Sequence, residues 1–250
     1  MSVSLAVDGA VARLTLERPE ALNALNRELT AALEAAVDRL QHDPHISVVI
    51  VSGRGRSFCA GNDIVEMAAL GPEEAEALAE RQARLMDRFR HLSQVAIAAI
   101  RGHALGGGCM LAVSQDLRIA EASARFGLPE VTLGFNPAYG IARLLDVIGG
   151  AHARDLMLSA RIIEAGEAFR MGLVTRVVPD GTLEQAAAEM AAEVARHPRE
   201  GLAATKAIIA GIGKEPAVHL EPRAYGAVLR TSEAARARIA GFVARERKGG

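Results

Sequence analysis

Read as a pattern of apolar and polar positions, the chain changes rhythm once. Up to about Val178 short apolar runs alternate with longer amphipathic stretches. After Pro179 only helical spacing remains. Val3 to Val7 and Val11 to Glu17, split by Asp8-Gly9, predict an opening hairpin. Arg27 to Gln41 places Leu29, Leu33, Ala36, Val37 and Leu40 on one helical face. Ile46 to Val51 is a β-branched run ended by Ser52-Gly53, which predicts a buried strand. Pro72 to Leu92 predicts a long helix with Pro in its first turn. Val95 to Ile100 and Leu117 to Ala120 read as strands, and Gly106 to Val113 as the start of a helix. Thr182 to Arg196, Gly201 to Ala210 and Ser232 to Arg247 read as helices. The alternation predicts an α/β core. A boundary is expected at 185/186, dividing a core over 1–185 from a helical region over 186–250. The stripe Leu183, Ala187, Met190 and Val194 suits either the core or a contact with another subunit.

Composition narrows the possibilities. At 250 residues the chain is long enough for one large domain. With aromatics at 3% and no Trp, the core must be built from Ala, Val, Leu and Ile. A net charge of −1 advertises no polyanion, so no nucleic-acid partner is expected. Cys59 and Cys109 lack metal-ligand spacing, so neither a metal site nor a disulfide framework is expected. The start, Met1-Ser2-Val3-Ser4-Leu5, lacks the basic and apolar regions of a signal peptide. Val95 to Ile100 is too short to span a bilayer. A soluble cytoplasmic protein with no membrane partner is the expectation.

Three segments carry candidate chemistry. In Ala60-Gly61-Asn62-Asp63-Ile64, small residues let the backbone approach a ligand, and Asp63 suits the N-cap of a following helix. A capped helix start and an amide aimed into a site both fit. In Gly106-Gly107-Gly108-Cys109-Met110, glycines at a strand-to-helix junction expose backbone N–H groups where negative charge is favoured. The run is neither a dinucleotide fingerprint nor a Walker A loop, and close helix–strand packing also fits it. Cys109 and His103 suit packed roles better than covalent catalysis. In Leu128-Pro129-Glu130 the glutamate suits either the first turn of a helix or an apolar pocket that would raise its pKa.

In this order and spacing the three segments resemble the crotonase family, also called the enoyl-CoA hydratase/isomerase family. Arg18-Pro19-Glu20-Ala21-Leu22-Asn23-Ala24-Leu25-Asn26, Ala165-Gly166-Glu167-Ala168 and Gly172-Leu173-Val174 extend the likeness over nearly the whole chain. The resemblance implies a ββα spiral core with a C-terminal helical trimerisation region, and a homotrimer or hexamer. It implies an acyl-CoA thioester as substrate, with coenzyme A part of that substrate and no other cofactor. The N–H groups of Ala60 and Gly107 are then the oxyanion donors and Glu130 the catalytic group. The backbone of Ala21, Leu22 and Ala24 meets CoA. Gly61, Asn62, Asp63, Ile64, Gly106, Met110, Pro129, Leu133 and Tyr139 bind substrate, with Phe135 and Asn136 helping to shape the acyl pocket.

One position departs from the hydratase pattern. Hydratases of the family carry a second glutamate where Met110 stands, and a thioether cannot exchange protons. Dienoyl-CoA isomerases carry an acid near Ala138. A single glutamate is the pattern of 3-enoyl-CoA to 2-enoyl-CoA isomerases, which makes that reaction the favoured expectation. Hydration with a substitute second acid, another crotonase reaction, and a non-catalytic acyl-CoA-binding member are the alternatives.

Overall fold

The computed structural model describes residues 2–211, 237 and 239–245. β1 (Val3–Asp8) and β2 (Val11–Leu16) form the expected antiparallel hairpin, turning at Gly9 with φ +55°. A 3-10 turn (Pro19–Ala21) leads to α1 (Arg27–His42), whose first turn is closed by Asn26 accepting the Leu29 N–H at 2.8 Å. β3 (Val48–Gly53), α2 (Ile64–Ala69), α3 (Pro72–His91), β4 (Val95–Ile100), β5 (His103–Leu105) and α4 (Gly107–Ser114) follow. Then come β6 (Leu117–Glu121), β7 (Arg125–Gly127), a second 3-10 turn (Pro129–Leu133), α5 (Ile141–Ser159), β8 (Ile163–Glu164) and α6 (Ala165–Arg170). β9 (Arg176–Val178), α7 (Leu183–Ala195) and α8 (Arg199–Gly211) complete the order. Of the helix expected over 232–247, only residues 237 and 239–245 lie within the described residues, and these are helical.

The strands form two sheets. The larger runs β1-β2-β3-β4-β6-β9, parallel from β2 onward. Its pleat divides the core. Val49 and Val51 of β3 face the cluster that holds α1, α3 and α4, while Val48 and Ile50 face α7. The predicted stripe of α1 is its buried face. Leu183, Ala187 and Met190 are buried on the sheet, so three residues of the α7 stripe are core. Removing Leu183 and Met190 from water contributes about 2 kcal/mol each. The boundary expected at 185/186 falls inside α7, because that helix covers the second face of the sheet. α8 is tied to the core as well: Lys206 Nζ donates to Phe89 O and Gln94 O at 2.8 Å and pairs with Asp116 at 2.6 Å.

The smaller sheet positions everything that follows. It runs β5-β7-β8, and an isolated parallel bridge between Cys59 and Ala104 adds one residue of the 57–63 segment at its edge. The chain therefore makes three similar turns of a spiral. Each leaves the large sheet (β3, β4, β6), touches the small one (Cys59, β5, β7), and enters a helix or 3-10 turn. The three candidate segments are the residues that follow these three small-sheet contacts. Strands of two or three residues carry no readable alternation, which is why the sequence pattern does not predict β5, β7 and β8.

The first segment is fixed by Asn23, a fully buried residue with φ +58°. Its Oδ1 accepts the Arg18 N–H at 2.9 Å, and its Nδ2 donates to Arg54 O at 3.0 Å and Ser57 O at 2.8 Å. Asn23→Ala leaves the buried Ser57 carbonyl, the Arg54 carbonyl and the Arg18 N–H without this partner, so a loss of about 2–4 kcal/mol is expected in urea unfolding. An unchanged midpoint would contradict this tie.

Candidate active site

The three segments converge on a cavity of about 200 Å³. Ala60, Gly61 and Asn62 come from the first turn of the spiral, Gly106, Gly107 and Met110 from the second, and Pro129, Glu130 and Leu133 from the third. Ile64, Met67, Phe135, Ala138, Tyr139 and Phe242 complete the wall.

The direction of each amide follows from local pairing. Leu25 and Asn62 form an isolated parallel bridge: the Leu25 N–H donates to Gly61 O at 2.8 Å, and the Asp63 N–H donates to Leu25 O at 2.9 Å. In such a bridge the N–H and C=O of the bridged residue itself point the other way. The Asn62 N–H is thus turned away from Leu25, and it donates to no group among the described residues. The Ala60 N–H donates to Leu22 O at 3.0 Å. This corrects the expected assignment. Ala60 lines the cavity, but its N–H is consumed within the fold, and the open donor of this segment belongs to Asn62.

Gly107 opens α4, so its N–H has no partner within the helix. It lies close to the first segment: a Cβ on Gly61 would stand 3.8 Å from Gly107 N. The turn has no room for side chains. Gly106 has φ +50°, and a Cβ there would meet Glu130 Oε1 at 2.9 Å. A Cβ on Gly107 would collide with Asn62 Oδ1 and the Tyr139 hydroxyl.

Glu130 sits in the first turn after Pro129, as one sequence reading had it, and also faces the cavity, as the other had it. Its Oε2 is buried, with no hydrogen-bond partner among the described residues. Burial pushes its pKa up to about 7. It is the only acidic or basic side chain among the described residues that line the cavity. Met110 is buried and apolar in the first turn of α4, packed beneath Gly140, where a Cβ would meet its Sδ at 2.7 Å. Tyr139 is buried and donates to Asn62 Oδ1 at 2.7 Å. Ala138 lines the wall without any acid.

Other expected site residues stand elsewhere. Asp63 is the N-cap of α2, accepting the Val65 and Glu66 N–H groups, and pairs with Arg18 at 3.0 Å; it does not line the cavity. Ala21, Leu22 and Ala24 lie outside the wall, where Leu22 O and Ala24 O already accept from Ala60 and from Arg18 Nη1. Asn136 Nδ2 donates to Pro137 O and the residue stays off the wall. Burial pushes the Cys59 and Cys109 thiols up to about 12, so neither is a nucleophile. Met67 escaped the sequence reading although it follows Ile64 by three residues on one helix face. Phe242, far away in sequence, offered no signal at all.

Comparison with known proteins agrees with this geometry. The family described as Enoyl-CoA hydratase/isomerase matches residues 6–217. The chain is 40% identical over 195 residues to a short-chain-enoyl-CoA hydratase of Clostridium acetobutylicum, covering 77% of this chain and 75% of the relative. It is 40% identical over 194 residues to a 2,3-dehydroadipyl-CoA hydratase of Escherichia coli, again covering 77% and 75%. The crystal structure of an enoyl-CoA hydratase from Bacillus anthracis superimposes with a TM-score of 0.83 at 33% identity, over 99% of this chain and 97% of that one.

Glu130 makes a direct electrostatic prediction. Its carboxyl holds a proton more tightly in the folded than in the unfolded chain, so folding is favoured below pH about 4.5 and that advantage is lost as pH rises through about 7. Carbon-13 NMR of the glutamate carboxyls is expected to show one midpoint near 7. Glu130→Gln is expected to be more stable than wild type at pH 8, by on the order of 2 kcal/mol, with the gap closing in acid. A carboxyl titrating near 4.5 would contradict the burial argument.

Proposed function

The chain belongs to the enoyl-CoA hydratase/isomerase family, and from that premise we propose that it isomerises 3-enoyl-CoA thioesters to 2-enoyl-CoA thioesters with Glu130 as the sole base. The observation that carries this reading is a cavity in which Glu130 is the only carboxylate or basic side chain among the described lining residues, set beside two open backbone N–H groups. The thioester oxygen accepts from the N–H groups of Asn62 and Gly107. The ionised Glu130 takes a proton from Cα, and the electron pair moves through the carbonyl to give a dienolate. Its negative oxygen sits at the N-terminus of α4, where the orphan N–H groups and the helix dipole favour it. Glu130, now neutral, returns the proton to Cγ, and the double bond ends between Cα and Cβ. A carboxyl whose pKa lies near 7 suits both steps, since neither protonation state is strongly disfavoured at neutral pH.

Hydration is the second reading, and the names of the relatives favour it. It needs a group that positions water and handles its second proton. Met110 cannot do this. Tyr139 and Asn62 are the other polar side chains on the wall. Assembly into trimers or hexamers belongs to the same family reading, and light scattering of the purified protein reads it directly.

A 3-enoyl-CoA is expected to gain the absorbance of a conjugated thioester without a change in mass. Glu130→Gln is expected to lower this rate by about 10³-fold or more while acyl-CoA binding persists. Water added to crotonyl-CoA at a comparable rate would put hydration first. Met110→Glu supplies the absent second carboxylate and is expected to raise hydration of crotonyl-CoA relative to isomerisation, read by product ratio. An unchanged ratio would show that position 110 does not decide the reaction.

A further inference from the structure

Beside the two N–H groups stands a group of the wrong sign. Asn62 Oδ1 is an acceptor, and it lies so near Gly107 that a Cβ there would collide with it. An unsatisfied amide oxygen at this place repels an oxyanion, or turns and occupies the N–H groups meant for the substrate. Its lone pair is taken by the Tyr139 hydroxyl, which donates to it at 2.7 Å. Tyr139 is 1% exposed, so the donor of this part-buried bond is held in place by packing and fixes the side chain of Asn62. The backbone of the same residue is held from the opposite side by the Leu25 bridge.

We propose that Tyr139 is a positioning residue for the oxyanion site: its hydroxyl neutralises and orients Asn62 Oδ1, leaving the Asn62 and Gly107 N–H groups free to polarise the thioester carbonyl. The proposal rests on the oxyanion reading given above. The role assigned to the Tyr139 hydroxyl is to donate to Asn62 Oδ1 and not to transfer a proton.

The test uses binding and turnover together. The probe is a cinnamoyl-CoA bearing a para-dialkylamino group, whose absorption moves to longer wavelength when its carbonyl is polarised. Wild type and Glu130→Gln are both expected to shift it, since polarisation needs no base. Tyr139→Phe is expected to lose most of the shift and about 10- to 100-fold in kcat, with KM changed less than about threefold. Asn62→Ala removes the misplaced acceptor while keeping the backbone N–H. Tyr139→Phe added to Asn62→Ala is therefore expected to cost little more than Asn62→Ala alone. If Tyr139→Phe keeps the full shift and kcat, the positioning role is overturned and the oxyanion reading stands. Additive losses in the double variant, or a defect in KM or thermal stability with the shift intact, also overturn it. A wild type that binds the probe without shifting it overturns the oxyanion reading and the positioning role together.

Discussion

The site depends on short parallel pairing at one edge of a small sheet. Cys59 bridges Ala104, and Leu105 pairs with Gly127. These contacts are few: the Cys59 N–H donates to His103 O at 2.9 Å, the Leu105 N–H to Cys59 O at 3.1 Å, and the Gly106 N–H to Gly127 O at 2.8 Å. They set three consecutive turns of the chain side by side. The residues just beyond each contact then share one cavity: Ala60 to Asn62, Gly106 and Gly107, and Pro129 and Glu130. The large sheet and its helices hold those turns at fixed spacing, so the position of each N–H follows from backbone pairing and not from a mobile side chain. Such fixed donors need no reorganisation when charge develops on a substrate oxygen.

Around that frame, charge is kept sparse. Among the described residues Glu130 is the only carboxylate or basic side chain on the wall, and no cation among them holds its carboxyl in the ionised form. Burial outweighs the hydrogen bond from its own backbone N–H, which is why the pKa rises. Met110 and Ala138, which could have carried further acids, add apolar surface beside Glu130 instead. Asp63, the carboxylate next in sequence to the oxyanion segment, is turned outward to Arg18 and the start of α2. The chain thus separates a structural acid from a chemical one only by the direction in which each points.

Much of this was legible from residue order. The hairpin, α1, β3, α3, β4 and β6 announce themselves because their apolar faces repeat over five residues or more. Glu130 and Gly107, both singled out in the sequence, line one cavity. The second N–H donor was not legible. Whether Ala60 or Asn62 turns inward depends on the register of a single bridge with Leu25, and a shift of one residue reverses the direction of every group. Asp63 suited a helix cap in sequence while the resemblance made it a substrate contact, and its bonds to the Val65 and Glu66 N–H groups decide for the cap. α5 was missed because Gly149-Gly150 interrupts its stripe, and Gly149 has the non-helical φ of +72°. Phe242 reaches the cavity from the far end of the chain, which no local pattern foretells.

The central claim is that one carboxyl carries one proton from Cα to Cγ. The most direct measurement follows a label: a 3-enoyl-CoA carrying two deuterium atoms at Cα, turned over in ordinary water, with the position of deuterium in the 2-enoyl-CoA product read by NMR. Glu130 acting alone as a buried carboxyl predicts that part of the deuterium appears at Cγ. Complete replacement by solvent hydrogen at Cγ, or a product that has gained water, would contradict the account.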